Sequence, residues 1–154
     1  AAQKNHVTPH LLKAFTPVQI GEYFVTPLPA THDPKSDPVI YLIEDKDVSL
    51  LYAHDTGIIA DEVFAYLVKN SKKLDFVSLD CTAGMLTGSR ACHLGLDTCI
   101  ETRDKLVELG LTNVDTRFCL NHFSHNCRAT YDEMLIPAKQ AGFEVAYDGM
   151  CVAF

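Results

Sequence analysis

Four side chains that can hold a metal or carry a proton stand where apolar, strand-like runs end. His32 follows "YFVTPLPA", Asp55 comes just after "VSLLYA", Asp80 closes "DFVSL" and His122 follows "RFCLN". In an α/β layer the carboxyl ends of strands form the rim where ligands bind, so such side chains can converge although they are far apart in sequence. Two imidazoles and a carboxylate suit a borderline-soft divalent cation such as zinc, and a carboxylate has two oxygens with which to bridge two ions. His93 lies in the loop "CTAGMLTGSRACHLG", which is fed by the strand ending in Asp80. A carboxylate that orients and charges an imidazole is the arrangement a general acid needs.

Each residue also has a plainer reading. An Asp before Thr56-Gly57 is a common turn former or helix cap, and His32 sits in "THDPKSDP", a loop composition in which an exposed His is ordinary. His54 is expected to face away from Asp55, as a supporting or surface group. In "CLNHFSHNC" the close Cys119, His122, His125 and Cys127 lack the paired-Cys spacing of a zinc knuckle. One histidine as ligand and the other as neighbour is the expectation there.

The elements that must position these groups follow from periodicity. "PVQI" and "YFVTPL" read as a hairpin with Val18, Ile20, Phe24 and Leu28 as its apolar positions. "VIYLIE" and "VSLLYA" flank the polar tip Asp45-Lys46-Asp47 as a second hairpin. Beyond it the pattern alternates between helix and strand. "DEVFAYLVKNSKK" reads as helix and "DFVSLD" as a buried strand. A helix with Thr98 and Glu101 as a capping box follows the long loop, its apolar face Leu96, Cys99, Ile100, Leu106 and Val107, and it stops at Gly110.

"DTRFCLNHFS" is a further strand, and "TYDEMLIPAKQAG" a helix capped by Thr130 and Glu133 with Pro137 inside it. The closing "FEVAYDGMCVAF" reads as two strands around an Asp148-Gly149 turn, filled by Val145, Tyr147, Met150 and Val152. Residues 1–16 read as a connection or short helix. The fold class is therefore α/β, a mixed sheet with helices, in a single domain over 1–154.

The chain has 154 residues, 47% of them hydrophobic, which suffices for one real core and not for two ordinary domains. Its formal net charge of −7 argues against broad electrostatic attraction to nucleic acid. No apolar run reaches membrane-spanning length. The six cysteines show no framework spacing, which predicts core-packed thiols in a cytoplasmic protein.

The ordered set "PLPATH", "AHDTG", "LDCT", "ACHLGLDT", "LNHFSHN" and "FEVAYDGM" resembles the C-terminal half of metallo-β-lactamase-fold hydrolases, most of all the PhnP-type cyclic phosphodiesterases. The resemblance runs from about Val18 to Phe154. It implies half of a four-layer αββα sandwich with two divalent metal ions, zinc or manganese, along one edge. In that reading His32 binds one metal, Asp55 bridges both, His122 binds the other, and His93 supported by Asp80 protonates the leaving oxygen of a cyclic or small phosphodiester. The spacing of Asp80 and His93 is also similar to that of tRNA 3′-end processing endonucleases, which makes an RNA-processing nuclease a further alternative.

The family's His-x-His-x-Asp-His stretch, the source of the other four ligands, does not occur here. The chain is therefore expected to be a fragment or one half of an assembly, whose open sheet face is covered by the absent N-terminal half or by a second copy. The alternative outside enzymology is an interaction or structural domain that pairs through that face and holds metal poorly.

Overall fold

The computed structural model describes residues 8–154. The region predicted as a connection or short helix falls partly outside it, and 8–16 form neither helix nor strand. Seven strands make one sheet in sequence order: β1 (Val18–Ile20), β2 (Tyr23–Pro29), β3 (Val39–Glu44), β4 (Ser49–Ala53), β5 (Leu74–Asp80), β6 (Thr112–Asn121) and β7 (Glu144–Val145). The first four pair antiparallel and the last four parallel. Helices α1 (Asp61–Asn70), α2 (Leu96–Glu108) and α3 (Tyr131–Gln140) form the three crossovers of the parallel part.

This order decides where the helices go. Crossovers between parallel strands are right-handed, and here every one advances the sheet in the same direction, so all three helices lie on one face. The core is the layer between: Val63, Phe64 and Leu67 of α1, Cys99 and Leu106 of α2, and Met134 and Ala138 of α3 pack with Leu28, Ile40, Leu42, Leu51, Val77, Leu79 and Leu120 of the strands. The alternate residues Tyr41, Ile43, Leu50 and Tyr52 point to the other face, where they are half-buried or exposed.

Several local expectations need correction. Of the apolar positions assigned to the first hairpin, Ile20 and Phe24 are exposed and only Leu28 is core, because β1 and the start of β2 run past the helical layer. α2 starts one turn earlier than a Thr98 cap would place it. Gly95 precedes its first residue, the Gly95 N–H donates to Thr98 Oγ1 at 2.9 Å, and Glu101 pairs with Arg90 at 2.6 Å instead of closing a box. Val107 faces solvent, while Thr98 and Thr102 take its place in the buried stripe.

The C-terminal return is a turn, with the Met150 N–H donating to the Tyr147 carbonyl at 3.0 Å, but residues 150–154 add no strand and Tyr147 is exposed. Thr130 and Glu133 do cap α3 reciprocally. No described helix is long and apolar enough to cross a membrane.

Candidate metal centre

β3 reverses the direction of β2, and β4 reverses it again, so the carboxyl ends of β2, β4, β5 and β6 share one edge of the sheet. The loops that leave this edge bring the five predicted residues together. Asp55 Oδ1 lies 3.2 Å from His32 Nε2, 3.8 Å from His122 Nε2 and 3.8 Å from His93 Nδ1. Two ligands about 2.0–2.2 Å from a tetrahedrally coordinated ion stand roughly 3.3–3.6 Å apart, so the spacings of His32 Nε2 and His122 Nε2 from Asp55 are near those of donors that share a cation, whereas His93 Nδ1 is turned to Asp80.

Two of these residues are bent into place. Asp55 (φ 54°) and His122 (φ 59°) both adopt the left-handed region, which is uncommon outside glycine. Each sits just past the end of a strand, where the left-handed turn swings its side chain across the lip instead of along the strand. Such conformations cost energy and persist where the surroundings over-determine them.

Asp80 provides that determination. It is fully buried, and its carboxylate accepts from the Thr82 N–H at 2.9 Å, the Leu94 N–H at 3.2 Å and the Thr56 N–H at 3.4 Å. His93 Nδ1 stands 3.1 Å from Asp80 Oδ2, which places the ring proton on Nδ1 and leaves Nε2 free. His122 Nδ1 lies 3.2 Å from the same oxygen and 2.7 Å from Thr82 Oγ1, which turns its Nε2 lone pair toward Asp55. A carboxylate behind an imidazole in this way fixes its tautomer for ligation.

Asp55, Asp80, His93 and His122 each offer a donor atom within 4.8 Å of the others. Asp80 is nevertheless saturated by backbone donors. His32 Nε2 instead faces the Asp55 carboxylate, at 3.2 Å.

The periodicity argument passed over three supporting residues. Thr56 is buried: its Oγ1 accepts from the Thr31 N–H at 3.0 Å, which ties the His32 loop to the Asp55 loop. Thr82 Oγ1 also donates to the His122 carbonyl at 2.7 Å and so holds the left-handed turn. Gly57 packs where any Cβ would collide with the Arg90 carbonyl oxygen and lie 2.8 Å from the Ala91 carbonyl carbon. The hydroxyls after each acid, in "HDTG" and "LDCT", were the available signal.

Gly57→Ala is accordingly expected to push away the loop that carries His93, costing about 1–3 kcal/mol as overpacking does. Urea unfolding of the variant checks it; an unchanged midpoint would show that the loop yields freely.

His54 does not point to open surface. Its Nε2 is 2.6 Å from Ser78 Oγ, its ring lies 3.9 Å from that of Tyr52 and 6.1 Å from that of His122. Burial, helped by the His122 charge and opposed by Asp80, pushes its pKa down to about 4, so it stays neutral beside the cluster. Cys119 and Cys127 are buried with their thiols on the carbonyls of Leu120 and Ala129, and His125 is exposed, so the three form no knuckle with His122.

Neither a protein-family model nor a curated protein matches the sequence. Solved structures do match the fold. The metallo-β-lactamase fold protein YhfI from Bacillus subtilis superposes with a TM-score of 0.68 at 18% identity, over 96% of this chain and 56% of that one. Igni18, a metallo hydrolase from Ignicoccus hospitalis, gives 0.61 at 15% identity over 94% and 59%. Zn(2+)-bound PqqB from Methylobacterium extorquens gives 0.62 at 15% identity over 96% and 56%. The chain thus has the α/β fold of about half of a metallo-β-lactamase-type molecule, a mixed sheet with its helices on one face.

Proposed function

We propose that this chain, which carries one half of the metallo-β-lactamase fold, supplies half of a two-metal hydrolase centre acting on cyclic or small phosphodiesters. The observation that carries this reading is the Asp55 carboxylate standing between the imidazoles of His32 and His122. The donor set of two nitrogens and a carboxylate fits zinc or manganese, and a zinc-bound neighbour of the same fold supports a divalent ion. Cations held there would lower the pKa of water and offset charge on the phosphoryl oxygens.

The roles of the chain's own residues follow from which atoms are free. His32 and His122 would hold metal through Nε2, with Asp55 as the carboxylate shared between them. Asp80, whose oxygens are all engaged, orients His93 and His122. His93 keeps its Nδ1 proton on Asp80; as the imidazolium it carries a second proton on Nε2, and would deliver that one to the leaving oxygen as the bond from phosphorus to that oxygen breaks, returning to the neutral imidazole.

His93→Ala in the full-length protein should lower turnover of a bis-aryl phosphodiester by about 10²–10⁴ while bound metal stays constant. Metal analysis beside the kinetics checks this, and loss of metal would move His93 into the ligand set.

Tyr41, Ile43, Leu50 and Tyr52 stand half-buried or exposed on a sheet face that no helix of the described residues covers. In this reading the fold's other half covers that face, and a chain without it self-associates through the same surface. Sedimentation of the 154-residue chain should show dimers or larger species; a monodisperse monomer overturns it. The same face is the observation favouring a second reading, an interaction domain. Failure to hold zinc in the presence of the other half would select it.

A further inference from the structure

Phe76 is out of step with the sheet face on which it stands. Ile43, Leu50, Phe76 and Arg117 are successive neighbours in one row across β3 to β6, and their side chains point away from the helices, opposite to Leu42, Leu51, Val77 and Phe118 of the core. Ile43 and Leu50 are half-buried, whereas Phe76 keeps an exposure of only 6%. Residues 150–154 are what cover it. The Phe154 ring lies on the Phe76 ring, centroids 4.6 Å apart and planes 25° from parallel, and Arg117 Nη1 donates to the Ala153 carbonyl at 2.6 Å.

We propose that residues 150–154 form a displaceable strap over the part of the open face onto which a second copy of this chain docks, so that strap closure and docking compete. The proposal rests on the self-association reading above and adds what regulates it. Phe76 continues the apolar row of Ile43 and Leu50, so strap and second copy claim the same ring. Tyr41, Ile43, Leu50 and Tyr52 bring no charge to that face, and two chains of net charge −7 can meet there without opposing like charges.

The strap is seated by few contacts. Beyond the turn at Tyr147 it adds no strand to the sheet, and a groove of about 800 Å³ remains beneath it, with Phe76, Ser78 and Cys119 on one side and Met150 and Val152 on the other. Protein interiors leave few voids larger than a water molecule, so a segment standing off by such a gap bridges the face without packing on it. Phe154 itself stays 47% exposed. Opening the strap gives up one ring stack and the Arg117 bond, both of which an arriving apolar surface with its own carbonyls can replace.

The chain contains no tryptophan, so Phe154→Trp places a single indole in the strap. In dilute solution that indole should be stacked on Phe76 and partly shielded from acrylamide. As copies associate, its emission should move to longer wavelength and become fully quenchable, with the midpoint that sedimentation gives for association. Phe154→Ser removes the stack without touching the core and should associate at about tenfold lower concentration than the parent, because a closed strap reduces the docking-competent fraction. Tyr52→Lys should abolish association in both backgrounds.

The outcomes separate strap from face. If the parent and Phe154→Ser chains are both monomeric throughout, the docking face is removed and the strap's competitor with it. If the parent associates while the indole stays shielded, or if Phe154→Ser associates no more tightly than the parent, the face stands and the strap is overturned. Zinc uptake by the same samples tests the metal centre independently of both.

Discussion

Asp55→Asn is expected to lower zinc affinity of the chain by about 10²-fold or more while its unfolding midpoint stays within about 1 kcal/mol of the parent. The two effects separate because Asp55 is exposed and, among the described residues, its ion-pair partners are the imidazoles of the cluster. It contributes a negative charge to the cluster and almost nothing to the core. Its left-handed backbone sharpens the point: Asp55→Gly removes the same carboxylate and relieves the conformation, so it should abolish metal binding with no loss of stability, or a slight gain. Equilibrium dialysis with zinc beside urea unfolding measures both. A glycine variant that binds zinc like the parent would remove Asp55 from the centre.

Asp80→Ala should do the opposite and strike the fold hardest, by about 3–5 kcal/mol. The carboxylate is fully buried, and removing it orphans the N–H groups of Thr82, Leu94 and Thr56 and the ring nitrogens of His93 and His122 at once. The loops of His93 and His122 then lose their common anchor. Asp80→Asn keeps one acceptor oxygen and should cost less stability, yet its amide cannot supply the charge behind both imidazoles. Chemical unfolding compared across parent, Asn and Ala ranks the three; an alanine variant as stable as the parent would mean that water or backbone shifts satisfy those donors.

These two residues also show how the site could be read in advance. Asp80 closes an apolar run and Asp55 follows one after His54, and the contrast between them, one exposed beside the imidazoles and one buried as an anchor, has no counterpart in local pattern. Asp55 is followed by Thr56 and Asp80 by Cys81 and then Thr82, and only the fold reveals that Thr56 stitches the His32 loop to the Asp55 loop while Thr82 clamps the His122 carbonyl. The capping of α2 shows the same limit. Thr98 and Glu101 have capping-box spacing, but the packing of Gly95 against the Leu86 and Gly84 carbonyls starts the helix earlier and places Thr98 inside it.

The sequence by itself determined the alternation of elements, the polar groups at the strand ends and the two hairpins, because side-chain period and turn chemistry act over a few residues. Tertiary structure decided the rest. The double reversal through β3 put four strand ends on one edge, uniform crossover handedness put every helix on one face, and long-range hydrogen bonds to Asp80 chose which nitrogen each histidine presents. Contacts between residues 13 to 42 positions apart, such as Asp80 with His93 and with His122, depend on chain topology and leave no periodic trace in the sequence.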